Sequence, residues 1–244
     1  MPVSKALSAK LPPFIRPGFQ WDAAGCYLFD IDGTLLNSRD AVHYHAFRHA
    51  IRDLYGIDAS IDCVPVHGNT DPGILRAVLQ RAGMEEQKII ASLPAIVKKM
   101  CAEVETNREK LKPELCPGIP DLLVYLQQHG KVLGAASGNL EPVAWAKLGK
   151  AGLKGFFTFG SFSWPRETRL EIFQHAVELA RSRLGPGTSV YVVGDTPSDI
   201  EAARAVGIPV ITLATGIFAF DELLALKPDA CLNTAADLLP SGRT

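Results

Sequence analysis

Residues 27–36 read YLFDIDGTLL: an apolar run suited to a buried strand, then Asp30 and Asp32 two positions apart, then Gly33. A strand inside a protein has no ordinary use for two acids at its end, so their purpose decides the rest of the reading. Side chains alternate across a strand. Asp30 and Asp32 therefore leave the chain in a similar direction while Ile31 turns into the core, and Gly33 lets the backbone bend close to a ligand.

Outward from this stretch, short apolar runs rich in β-branched or aromatic residues recur: GCYLF (25–29), KVLGAA (131–136), FFTFG (156–160), SVYVV (189–193) and VITLA (210–214). Continuous rather than alternating hydrophobicity is the mark of strands buried on both faces of a parallel sheet. Between them lie stretches with helical spacing: Leu122, Leu123 and Leu126; Leu170, Phe173, Val177 and Ala180; Ile200, Ala203 and Val206. Strand and helix in alternation predict an α/β fold, a doubly wound (Rossmann-like) parallel sheet.

One connection is too long for that pattern. From Asn37 to Lys112 the sequence is helical in character, with Val42, Phe47, Ile51 and Leu54 on one stripe, Asp71 next to a proline as a helix cap, and a long segment from Glu85 to Lys110. This predicts three parts: an irregular tail over 1–24, an α/β core over 25–36 and 113–244, and an inserted all-helical cap over 37–112.

Composition narrows the partners. The chain has 244 residues, 47% of them hydrophobic, a formal net charge of −1 and no basic run, which argues against nucleic acid or an anionic membrane as partner. Five widely spaced cysteines without a C-x-x-C pair point to free thiols in the cytoplasm. No run reaches the roughly 18 apolar residues of a membrane span, and the first residues carry no secretory h-region. His45 and His49 share a helical face but lack a third ligand, so solvated or half-buried histidines are expected there.

Three of the strands end in polar residues, Asp30, Ser137 and Asp195, and in an open α/β sheet ligands gather at those carboxyl ends. Like charges about 4 Å apart repel by roughly 4 kcal/mol at an effective dielectric near 20, so Asp30, Asp195 and Asp199 together imply a cation. An all-oxygen donor set selects a hard ion, with Mg²⁺ the expected cofactor.

DIDGT (30–34), ASGN (136–139) and GDTPSD (194–199), in this order on successive strand ends, resemble the first, second and fourth motifs of the haloacid dehalogenase superfamily. The resemblance implies that Asp30 is a nucleophile forming an aspartyl phosphate, and that Asp32 protonates the leaving alcohol and later activates water. It also implies Mg²⁺ held by the Asp30 side chain, the Asp32 carbonyl and Asp195, with Asp199 in support. Ser137, Gly138 and Asn139 would hold the phosphoryl oxygens, with Gly33, Thr34, Thr70 and Asp71 near the substrate. The third motif is ordinarily a lysine. None lies between Lys154 and Lys227, which leaves Arg166 or Arg169 in PRETRLEIF, with Arg169 preferred because R-L-E-I-F resembles a variant of that motif.

Asp32 favours phosphorus chemistry over dehalogenation, and the segment VHGNTDPGIL (66–75) resembles the phosphoglycolate phosphatase branch. The implied activity is a Mg²⁺-dependent phosphatase of a small phosphorylated metabolite, phosphoglycolate first among candidates, working as a monomer or homodimer. A sugar phosphomutase and a silent binding or regulatory relative are the alternatives.

Overall fold

The computed structural model describes residues 11–239. In chain order it contains β1 (Phe14–Ile15), β2 (Cys26–Phe29), β3 (Leu36–Ser38), α1 (Val42–Tyr55), α2 (Asp71–Arg81), α3 (Glu86–Thr106), β4 (Pro113–Leu115), α4 (Ile119–Gln128) and β5 (Val132–Leu140). There follow α5 (Glu141–Lys150), β6 (Phe159–Ser163), α6 (Arg169–Leu184), β7 (Val190–Gly194), α7 (Pro197–Val206), β8 (Val210–Leu213), α8 (Phe220–Ala225) and β9 (Ala230–Leu232).

Seven strands form one sheet in the order β1-β9-β8-β7-β2-β5-β6, parallel throughout except for β1. Strand β2 lies at the point where the order reverses: the chain builds outward through β5 and β6 on one side, then crosses to β7, β8 and β9 on the other. A crevice opens at such a reversal, outside the carboxyl ends of the strands, and here it opens beyond Phe29. Phe29 is paired with Ala135 on one side and Val193 on the other.

All four residues of β2 are buried, and their alternation feeds two cores. Tyr27 and Phe29 pack with Leu123, Leu126 and Leu148 on one face; Cys26 and Leu28 pack with Phe173, Val192 and Ile200 on the other. This two-sided burial explains the unbroken apolar run in the sequence.

Helices α1, α2 and α3 lie between the short antiparallel partners β3 and β4 and bury a separate core that includes Phe47, Ile51, Leu75, Ile96 and Met100. That core also takes in Leu140 and, from α5, Val143 and Ala146. The α1 stripe differs from the expected one. Ala46, Phe47, Ala50 and Ile51 are buried, while Leu54 is 42% exposed, because burial follows the i, i+1, i+4, i+5 face that meets α3.

Other boundaries moved for local reasons. The cap of α2 is Thr70, whose hydroxyl accepts from Gly73 N at 3.1 Å, so Asp71 is the first helical residue instead. In FFTFG only the last two residues join the sheet; Lys154–Phe156 form a short 3-10 turn, and β6 begins where Phe159 meets Gly134. On α6 the inward face is Ile172, Phe173, Ala176, Val177 and Ala180, with Leu170 outside. Residues 1–10 of the expected irregular tail fall outside the described residues. Within 11–24, Phe14 and Ile15 form the edge strand β1, held by Cys231 and Ala230 and by the Arg16–Asp229 ion pair at 2.7 Å. No helix among the described residues is long and apolar enough to cross a membrane.

Candidate active site

Strands β2, β5 and β7 deliver Asp30, Ser137 and Asp195 to one end of the sheet, where all three are buried. Asp30 continues the register of its strand, its N–H donating to Val193 O at 3.0 Å. Asp30, Asp195 and Asp199 each offer a carboxylate oxygen within 4.8 Å of the other two.

Asp199 comes from the first turn of α7, which opens with a capping box: Thr196 donates to Asp199 Oδ2 through its N–H at 3.1 Å and its hydroxyl at 2.8 Å. The helix cap thus uses one oxygen of Asp199 and leaves Oδ1 for the cluster. Asp195 is set by its surroundings. Thr34 Oγ1 donates to Asp195 Oδ1 at 2.9 Å, and a Cβ at either Gly33 or Gly216 would run into this carboxylate. Gly33 also has φ +87°, a conformation that side-chain-bearing residues rarely adopt.

Into this nest of acids α6 projects its first residue. Arg169 is 8% exposed; Nη2 lies 2.9 Å from Asp30 Oδ2 and Nε 2.8 Å from Asp199 Oδ1. Arg166 turns elsewhere and donates to Phe162 O at 3.1 Å. Of the two arginines singled out in the sequence, the fold brings Arg169 to the carboxylates.

One guanidinium does not balance three buried carboxylates. Burial pushes the Asp30 carboxyl up to about 6 against the pull of Arg169, with Asp199 adding repulsion. Asp195 is raised well above the usual range by burial and then by Asp30 and Asp199. Asp30 Oδ1 is buried without a hydrogen-bond partner, and Asp199 Oδ1 has only the ion-pair contact with Arg169 Nε, which lacks hydrogen-bond geometry. Three buried carboxylates with raised pKa values at Asp30 and Asp195, and no sulfur or imidazole among them, make a donor set that fits a hard divalent cation such as Mg²⁺.

Asp32 is in the opposite condition. Burial alone would raise its pKa, but the Lys147 ammonium and hydrogen bonds from Lys147 and Asn139 outweigh it and hold the carboxyl low. Lys147 Nζ is 2.9 and 2.7 Å from the two carboxylate oxygens, and Asn139 Nδ2 is 2.7 Å from Oδ2. Asn139 Nδ2 also donates to Ser137 Oγ at 2.9 Å. Beside them Gly138 lies so close to the carbonyl of Asn69, from the helical insertion, that a Cβ would collide with it.

Above these groups is a cavity of about 320 Å³. Its floor includes Asp30, Asp32, Ser137, Lys147, Arg169 and Asp195; its roof is built from His43, Tyr44, Phe47, Ile61, His67 and Ile74 of the insertion. Gly33, Asp71, Gly138 and Asn139 also line it. Thr34 and Thr70 do not. Thr34 is fully buried behind Asp195, and Thr70 caps α2 while donating to Glu167 O at 2.6 Å. Asp199 is likewise beneath the cavity floor, with no exposed surface.

Lys147 and His43 were missed by sequence reasoning. Helix α5 is short, and the signal its sequence carries is a lysine on the same face as Val143, Ala144 and Leu148. His43 Nε2 lies 3.1 Å from Asp71 Oδ2, a contact between helices that spacing alone does not reveal. His45 and His49 stack 5.6 Å apart, and His49 pairs with Glu103 at 3.0 Å. All five cysteines are free thiols, with Cys26, Cys116 and Cys231 buried.

The family described as haloacid dehalogenase-like hydrolase matches residues 27–213. The chain is 29% identical over 214 residues to a phosphoglycolate phosphatase of Synechococcus elongatus, covering 87% of this chain and 94% of the relative. It is 27% identical over 199 residues to a phosphoglycolate phosphatase of Rhodobacter capsulatus, covering 79% and 85%. A haloacid dehalogenase-like family hydrolase from Streptococcus pneumoniae superposes with a TM-score of 0.60 at 21% identity, over 88% of this chain and 96% of the other, a likeness of fold.

Proposed function

The chain belongs to the haloacid dehalogenase-like hydrolases, and on that premise we propose that it is a Mg²⁺-dependent phosphatase of a small phosphomonoester, acting through an aspartyl phosphate on Asp30. The observation that carries this reading is the meeting of Asp30, Asp195 and Asp199 within 4.8 Å, with Asp30 and Asp195 on the floor of a cavity that Asp32 also lines and Asp199 just beneath it.

Asp30, Asp195 and Asp199 are the side chains that would hold or support the ion. Mg²⁺, when bound, supplies charge neutralisation and polarises phosphoryl oxygens. The remaining work falls to the chain. An Asp30 oxygen attacks phosphorus as the ester P–O bond breaks, and Asp32, which has to take up a proton from solvent before the cavity closes and against the pull of Lys147, passes that proton to the departing alkoxide. In the second half Asp32 takes a proton from water as the water oxygen bonds phosphorus and the bond to Asp30 breaks. Ser137, Gly138 and Asn139 line the floor and would receive the phosphoryl oxygens. Arg169 keeps Asp30 aimed and offsets part of its charge.

The helical insertion over 37–112 is proposed to act as a cap that closes over the substrate and excludes bulk water. A volume near 320 Å³ suits a small ester. The names of the relatives make phosphoglycolate the leading candidate. Its carboxylate would have to be met by His43 or His67, since the cap contributes neither Lys nor Arg to the wall. Free thiols suit a cytoplasmic location.

The test is release of inorganic phosphate from a panel of small phosphorylated metabolites, phosphoglycolate among them, in the presence of Mg²⁺. Turnover is expected to vanish with chelator and with Asp30→Asn. An Asp30→Asn variant of undiminished activity would discard the mechanism.

A further inference from the structure

The reaction outlined above assigns no task to Lys147, although it is 3% exposed on the floor of the cavity. We propose that Lys147 is the positioning residue for Asp32, locking the general acid–base in the orientation from which it serves the leaving group; this rests on the phosphatase reading of the site.

Burying an ammonium costs several kcal/mol unless it is paired and its hydrogens are used. On α5 it sits among Val143, Ala144, Ala146 and Leu148, residues buried with it. The chain meets the cost by spending all three Nζ donors on one constellation: Asp32 Oδ1 at 2.9 Å, Asp32 Oδ2 at 2.7 Å and Asn139 Oδ1 at 2.9 Å. Asn139 closes the ring by donating to Asp32 Oδ2 at 2.7 Å and to Ser137 Oγ at 2.9 Å. A lysine that recognised substrate would keep a donor for it. This one has none left.

Its partner is held from one side only. The Asp32 side chain keeps 41% of its surface, against 4% for Lys147, so its outer part faces the cavity. The pairing also separates duties among the cations. Arg169 belongs to Asp30 and Asp199, and Lys147 belongs to Asp32. A carboxylate fixed at both oxygens cannot swing toward Arg169 and leave the ester oxygen unattended, and misplacement of about 1 Å can cost on the order of 100-fold in rate.

The role is read out by comparing leaving groups. A p-nitrophenolate departs without a proton, whereas an alkoxide needs one, and kcat/KM reports steps only through formation of the aspartyl phosphate. Lys147→Met is measured with p-nitrophenyl phosphate and with 2-hydroxyethyl phosphate in the presence of Mg²⁺. The expected result is a loss in kcat/KM at least about 10-fold greater for the alkyl ester, within the range general acid catalysis provides. Within the Asp32→Asn background the same substitution should add little, because its effect passes through Asp32.

Lys147→Arg, which keeps the charge but displaces the carboxylate, should give the same sign with a smaller ratio, and serves if the Met variant does not fold. Equal losses for both esters, or a rise confined to KM, would overturn the positioning role while leaving the phosphatase reading intact. Turnover of neither ester by the wild-type protein would instead remove the phosphatase reading and this role with it.

Discussion

Arg169 Nε lies 2.8 Å from Asp199 Oδ1, joining the first residue of α6 to the first turn of α7 beneath the cavity floor. Through Nη2 the same guanidinium reaches Asp30 at 2.9 Å. A planar fork can bridge two acids from different elements, and an ammonium at the same place would serve one. Arg169→Met would leave both carboxylates buried with no cationic partner, a change costing about 3–5 kcal/mol in comparable cases. The expected outcome in chelator is a marked fall in the urea midpoint, with Arg169→Lys intermediate. A Met variant as stable as wild type would show that the bridge is not what holds these helix starts together.

The acid cluster makes a prediction about pH. Asp30 is raised by burial from 3.8 to about 6, and Asp195 is raised in the same sense. A raised carboxyl binds its proton more tightly in the folded state. Between roughly 4 and 6 the folded chain therefore holds more protons than the unfolded one, and stability falls as pH rises through that window, for Asp30 by roughly 3 kcal/mol. Asp32 has the opposite sign. Its contribution is present above 3.8 and is lost only as pH falls through its lowered value. Without metal, calorimetry should show Tm declining from pH 4.5 to 6.5, a slope that Asp195→Asn reduces. Millimolar Mg²⁺ should raise Tm above pH 6 and flatten the curve, and a metal-free slope identical in wild type and Asp195→Asn would contradict this.

Gly33 carries the turn after Asp32 and touches Asp195 from the side. Its φ of +87° and the collision of any Cβ with the Asp195 carboxylate act together. Gly33→Ala should cost about 1–3 kcal/mol in backbone strain and displace the carboxylate. Isothermal titration is expected to show weakened Mg²⁺ binding in the variant, and unchanged affinity would mean that the turn relaxes without moving Asp195.

Much of this arrangement was legible in the sequence because two periodicities and three motifs coincide. The run Cys26–Phe29 reads as a buried strand since it is buried on both faces, and the acids that follow it stand out against that background. Arg169 was recognisable from its spacing to Glu171. The illegible part lies where function depends on a contact between elements. Lys147 is separated from Asp32 by 115 positions, and nothing near it in the chain announces a partner. Strand β9 has three residues, and β1 two, too few for a period to register, so their pairing emerges only from the sheet edge they complete. Thr34 failed as a substrate contact for a related reason: its neighbours in the motif face the cavity, whereas it turns behind to hold Asp195.

Asp71 ties the helical insertion to the core. It is the first residue of α2 and is 3% exposed; its Oδ2 accepts from the backbone N–H of Leu140 at 2.8 Å and faces His43 Nε2 at 3.1 Å. Leu140 follows the Ser137–Asn139 segment, so this bond links the position of the helical insertion to the floor of the cavity. Asp71→Ala would strand a buried N–H and remove the link, at a cost of about 1–3 kcal/mol. Asp71→Asn retains an acceptor oxygen and should recover most of that stability. If the bond also aligns the cap, the Ala variant raises KM for small phosphate esters while Asn stays near wild type. Steady-state kinetics beside urea denaturation would separate these effects, and equal behaviour of Ala and Asn in both assays would show that neither stability nor cap alignment depends on the Leu140 contact.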